Sequence, residues 1–156
     1  MSGHGYDLLC SRAVETLELR AFLRDTFAVA EADLFVASAD RVEAELQHVP
    51  QDIVFATFCT FEPVRGHFAT TLTVGIDSDR ARHIDHATFA TSFAAHFQAM
   101  VLYGTTEPLD LWTVVLADGT RLVAALDEDD DRFTLTEATA AVPDLPEVAV
   151  NGKLWP

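Results

Sequence analysis

The residues best suited to chemistry in this chain are a short run of histidines, His83-Ile84-Asp85-His86, with His96 following further on. Imidazole and carboxylate are ligand types that zinc accepts, so a small metal-dependent or other enzyme using the His83, His86 and His96 region is one reading of the run. Its spacing works against that reading. A helix starting at Asp85 leaves His83 outside, puts His86 in the first turn and carries His96 about three turns away, so the rings do not converge on one tetrahedral ion. A helix boundary with exposed or hydrogen-bonded histidines is the simpler expectation.

Carboxylates offer calcium chemistry in Asp77-Ser78-Asp79 and in the run Asp127, Glu128, Asp129, Asp130 and Asp131. Neither has the glycine and closing glutamate that an EF-hand loop places at its sixth and twelfth positions, so both read as solvated turns. Nucleophilic catalysis needs an activated Ser, Cys or Thr, and the chain has no G-x-S-x-G turn. Cys10 and Cys59 lack C-x-x-C spacing and read as buried free thiols, Cys59 in mid-strand. The glycines are scattered without G-x-x-x-x-G-K or G-x-G-x-x-G order, so nucleotide phosphates have no cradle. Many carboxylates are present, yet nothing singles out an acid and base pair. The expectation is a protein without cofactor, metal or catalytic residues.

The elements that must position these residues follow from periodicity. Residues 6–14 read as a first strand. Thr16 caps a helix to about Val29 with the stripe Leu19, Phe22, Leu23, Thr26 and Phe27. A short strand is expected at 33–37, then a short helix over 41–47, capped by Asp40 and ending before Pro50, with Glu43 and Glu45 facing water. Residues 53–61 are apolar on both alternating sets and predict a central strand with Ile53, Phe55, Cys59 and Phe61 on one side. A turn over 62–66 leads to a strand with Phe68, Leu72, Val74 and Ile76 on one face and His67, Thr71 and Thr73 opposite.

Asp85 caps a second long helix in which Phe89, Phe93 and Phe97 recur every four residues, an aromatic stripe laid on the sheet. Asp118-Gly119, between apolar runs over 111–117 and 120–126, predicts a tight two-residue hairpin turn whose residues accept positive φ. The acidic loop of Asp127, Glu128, Asp129, Asp130 and Asp131 then leads to a last strand over 133–136. A flexible start over 1–5 and a Pro-containing tail over 142–156 complete a single domain. Trp112 reads as core, while Trp155 either docks on the body or reaches a partner.

The fold class expected is α+β, an antiparallel-rich sheet with two main helices on one face. Without the extra elements the order is β-α-β-β-α-β, a ferredoxin-like core carrying a C-terminal hairpin. No run approaches the roughly 20 apolar residues of a membrane span, and the first residues lack a basic start followed by an apolar stretch, which together predict a soluble cytoplasmic protein.

The formal charge of −15 comes from 25 Asp and Glu against 10 Lys and Arg. Such an excess argues against nucleic-acid phosphates and anionic membranes as partners and favours a basic protein. Acidity also serves solubility, and a nucleic-acid mimic or a homo-oligomeric scaffold are further readings of the same composition. Small size, strong acidity, an α+β layout and the lack of a catalytic motif resemble the immunity proteins of bacterial toxin systems. That resemblance implies a cytoplasmic toxin inhibitor whose acidic surface faces a cationic toxin cleft. The carboxylates to carry that contact are Asp40, Glu43 and Glu45, or Asp127, Glu128, Asp129, Asp130 and Asp131.

Overall fold

The computed structural model describes residues 3–50, 52–77, 79, 82–104 and 111–154. The strands are β1 (Gly3–Cys10), β2 (Leu34–Ser38), β3 (Thr57–Pro63), β4 (Arg65–Gly66), β5 (Thr70–Asp77), β6 (Val101–Gly104), β7 (Trp112–Val115), β8 (Arg121–Asp129), β9 (Arg132–Ala138) and β10 (Ala149–Val150). The helices are α1 (Thr16–Phe27), α2 (Val42–Leu46) and α3 (His86–Phe97). All ten strands belong to one mostly antiparallel sheet of order β10-β9-β8-β7-β6-β1-β5-β3-β2, with β4 added against β9. Among the described residues no helix is long and apolar enough to cross a membrane.

The stretch β6-β1-β5-β3 is antiparallel throughout and has the strand order of a split β-α-β-β-α-β unit, with α1 and α3 as its helices. Both pack on one face. Leu19, Phe22, Leu23 and Phe27 of α1 and Phe89, Phe93 and Phe97 of α3 join Leu8, Leu72, Val74, Ile76 and Val101 in a first core. Each such side chain, fully removed from water, contributes on the order of 1.5–3 kcal/mol. The Asp85 carboxylate accepts the Thr88 N–H at 2.7 Å and caps α3 as expected. Thr16 does not cap α1: Glu15 holds that position without a side-chain bond, and Thr16 is the first helical residue.

A second core lies on the opposite face, where Leu9, Phe68, Leu102, Val114, Leu122, Leu135, Val142 and Val148 meet. Phe68 therefore leaves the face of Leu72, Val74 and Ile76 with which its spacing grouped it. The C-terminal stretch is no loose tail over 142–150: Val142 and Val148 are buried, and β10 pairs with β9. The start behaves likewise, since Gly3, His4 and Gly5 are ladder residues of β1, and that strand ends at Cys10 rather than at Val14. Val14 is buried beyond the strand end.

The sheet curls, because the chain leaving β3 is stitched to β9. Arg65 N–H and His67 N–H donate to the carbonyls of Asp131 and Phe133, both at 2.8 Å. Gly66 makes this close approach possible: it has φ 94°, and a Cβ there would stand 2.2 Å from the Phe133 carbonyl oxygen. The imidazole of His67 adds a staple, accepting the Leu135 N–H on Nδ1 at 3.0 Å and meeting the Glu147 carboxylate with Nε2 at 3.0 Å.

The β7–β8 hairpin forms, with a different turn. Of Asp118 and Gly119, only Gly119 has positive φ, 92°. The Leu116 carbonyl accepts the Gly119 N–H at 2.9 Å, and the Leu116 N–H donates to Thr120 at 2.8 Å. Ala117 and Asp118 thus occupy the middle of the turn, and Gly119 follows as a bulge. The Asp118 carboxylate takes the Thr120 N–H at 2.9 Å, holding that geometry. In place of a single C-terminal hairpin, β7, β8 and β9 form a meander that β10 extends.

Candidate functional site

Strands β2 and β3 are parallel neighbours, Phe35 opposite Phe58. Parallel neighbours cannot be joined by a tight turn, so the chain makes a long crossover excursion over residues 39–56. It contains a 3₁₀ turn (Ala39–Arg41), α2 and an irregular return to Thr57. The expected strand over 53–61 accordingly starts only at Thr57; Pro50 and the turn at Asp52 precede residues 53–56, which belong to no strand. Asp40 does not cap α2, where Arg41 stands in the cap position, and its carboxylate instead accepts a hydrogen bond from Ser38 Oγ.

Cys59 of β3 points into the first core, so its neighbour Phe58 points to the other face. There Phe58 stacks on Phe35 with ring centres 4.6 Å apart, and Phe55 leans on Phe35 at 5.3 Å. Offset pairs of this kind contribute about 0.5–1.5 kcal/mol beyond the area they bury. Leu46, Val49, Pro50, Ile53, Val54 and Phe55 complete an open cleft of about 420 Å³ over this aromatic floor. Leu46, Ile53 and Val54 are 38, 45 and 73% exposed. Scattered apolar residues are ordinary on a surface, whereas three on one short excursion beside an open cleft form a patch.

Carboxylates stand beside that patch in the chain. Glu43 and Glu45 precede Leu46, Asp52 precedes Ile53, and all are exposed, as is Asp40. Of the cations, Arg41 reaches Glu45 at 3.3 Å, in a pair 67 and 46% exposed that is therefore weak. Four carboxylates against one guanidinium leave the excursion strongly negative.

The second carboxylate group is not a loop. Asp127, Glu128 and Asp129 are ladder residues of β8 opposite Thr134, Phe133 and Arg132, leaving Asp130 and Asp131 as the turn. Strand alternation sends Asp127 and Asp129 to one face and Glu128 to the other, where it lines a shallow groove with Asp7, Thr71, Trp112 and Phe133. Asp131 is engaged by Arg65, whose Nη2 lies 2.8 Å from Oδ1, and this guanidinium holds its carboxyl below the usual aspartate range. Five strands separate β8 from β2 in the sheet order, so the two carboxylate groups occupy different elements.

The histidines are dispersed. His83 is exposed; His86 stacks on Tyr103 with ring centres 5.9 Å apart; His96 lies against Phe22 and Phe97 at the edge of the aromatic stripe. Among the described residues no three His, Cys, Asp or Glu side chains are grouped to hold a metal ion. Cys10 and Cys59 are free and buried, and burial pushes their thiols up to about 11 and about 12. Trp112 is half-buried against the second core. Trp155, and the middle of Asp77-Ser78-Asp79, lie outside the described residues.

Pattern reasoning missed the cleft itself, because it placed Ile53 and Val54 in a strand. The signal available was the turn chemistry of Pro50 and Asp52, which interrupts the chain just before the apolar run. Comparison of the chain with protein-family models, with curated proteins and with solved structures yields no match.

Proposed function

We propose that this protein is a non-catalytic acidic binding protein that neutralises a basic protein partner, acting in the manner of an immunity protein that blocks a cognate toxin in the bacterial cytoplasm. The observation that carries the reading is the pairing of an exposed apolar cleft with an uncompensated acidic excursion, residues 39–56, in a chain of net charge −15. Complementary charge speeds encounter, and a few desolvated apolar anchors set the lifetime of a complex. Neither contribution needs a cofactor or a reactive side chain.

The test is affinity capture by the intact chain at low ionic strength. The expected result is one basic protein held in stoichiometric amount, whose own activity the chain inhibits and whose binding weakens as salt rises from about 50 to about 500 mM. If no basic protein is retained, or retention is equally strong at both salt levels, the reading fails.

A further inference from the structure

We infer that the cleft over Phe35, Phe55 and Phe58 receives the apolar side chains of a cationic, amphipathic segment of the partner, while flanking Lys or Arg of that segment pair with Glu43, Glu45 and Asp52. This inference rests on the acidic-binder reading and adds to it the location of the contact and the chemistry of the segment that fits.

Charge selects the occupant. A second copy of the chain would bring the same four carboxylates, Asp40, Glu43, Glu45 and Asp52, against themselves, and like charges brought together oppose association. An anionic membrane surface meets the same repulsion. The C-terminal stretch through Val150 is already committed, since Val142 and Val148 fill the second core and β10 lies on β9. A cationic segment without apolar residues would leave Leu46, Ile53 and Val54 in water, whereas an apolar one without charge would forgo the carboxylates.

The architecture resembles an interface core with a polar surround. Phe58, stacked on Phe35, and Phe55, tilted against it, form a floor over a ring that is only 6% exposed, so the cleft is shaped before any partner arrives. A preformed cleft spares the partner the cost of ordering it. The weak Arg41–Glu45 pair is open to exchange for a partner's guanidinium. By contrast, the β8–β9 turn has Asp131 tied to Arg65 and its other acids divided between two faces, and the groove that Glu128 lines, about 200 Å³, is half the size of the cleft at about 420 Å³.

The test uses the full chain and two synthetic peptides of about 16 residues, one an amphipathic Leu–Lys sequence and one of equal charge with every Leu replaced by Ser. Binding is followed by fluorescence anisotropy at about 20 mM salt. The Leu–Lys peptide is expected to bind at least about tenfold more tightly than the Ser–Lys peptide, and the preference is expected to vanish in Ile53→Ser/Val54→Ser. Both substituted residues are exposed, and a thermal melt matching that of the parent chain confirms folding. Glu43→Gln/Glu45→Gln/Asp52→Asn is expected to weaken both peptides about equally.

If the Leu–Lys peptide binds but ignores the cleft substitutions and responds instead to Asp127→Asn/Glu128→Gln/Asp129→Asn, this inference is overturned while the acidic-binder reading stands. If neither peptide binds, both fall. Self-association of the parent chain that disappears in Ile53→Ser/Val54→Ser would assign the cleft to a second copy and overturn the inference as well.

Discussion

Two buried threonines on neighbouring strands should respond to the same substitution with opposite signs. Thr57 on β3 is fully buried, between Leu34 of β2 and Ile76 of β5, and its Oγ1 has no hydrogen-bond partner. Thr70 on β5 is 3% exposed, and its Oγ1 donates to the Arg12 carbonyl at 3.1 Å. Valine has nearly the same shape and suits a strand equally well, so the hydroxyl is the main difference. A buried polar group without a partner costs about 1–3 kcal/mol. Thr57→Val removes that cost, less a fraction for fitting a methyl where an oxygen sat. The net gain should be about 1–2 kcal/mol, or about 2–8 °C in Tm for a chain of this size.

Thr70→Val instead deletes a satisfied bond and leaves the Arg12 carbonyl short of a donor, which should destabilise by about 1–2 kcal/mol. Urea unfolding of the parent and both variants, fitted with a common slope, measures the two differences, and calorimetry checks Tm independently. Loss of stability in Thr57→Val, or a shift of both variants in the same direction, would refute the argument from hydrogen-bond satisfaction.

Three further outcomes are expected. Gly66→Ala should lose more than about 2 kcal/mol, because a Cβ meets the Phe133 backbone at 2.2 Å as well as an unfavourable φ, whereas Gly119→Ala meets open space and should lose only about 1–2 kcal/mol; denaturant midpoints that rank the pair the other way would show that β4 is not held against β9. Cys10 and Cys59 should resist a thiol reagent at mildly alkaline pH in the native state and react when urea unfolds the chain. The same thiols shape the alkaline limit of stability. Unfolded, they lose protons near 9.0, while folded they keep them to about 11 and about 12, so the folded state binds more protons above pH 9 and stability falls as pH rises through that window. A Cys10→Ala/Cys59→Ala variant should show a shallower fall in a pH series of urea midpoints, the remainder including Tyr6, whose burial raises it in the same direction.

What the amino-acid sequence determined alone is local. The α1 and α3 stripes, the Asp85 cap, the Phe89, Phe93 and Phe97 face, the burial of both cysteines and a turn at Asp118-Gly119 all depend on residues within a few positions of one another, so pattern suffices to find them. Even here the turn shows a limit, since Asp-Gly accommodates more than one hairpin geometry and the bulge at Gly119 was chosen by the pairing of Leu116 with Thr120. The order of elements suggested a β-α-β-β-α-β core, but its last strand, β6 over Val101–Gly104, was not anticipated, and its place beside β1 in the order β6-β1-β5-β3 was decided by pairing.

Tertiary pairing decided the rest. That β2 lies parallel to β3 cannot be read from either segment, yet it forces the 39–56 excursion, exposes Ile53 and Val54 and places the cleft over Phe35 and Phe58. Asp127, Glu128 and Asp129 had the composition of a loop, but pairing with Arg132, Phe133 and Thr134 drew them into β8 and divided their charges between two faces. The physical reason is the same in both cases. A carboxylate or an exposed valine carries the same local signal whether its backbone is free or hydrogen-bonded to a strand far away in the chain, so position on the folded surface is set by long-range partners that periodicity does not encode.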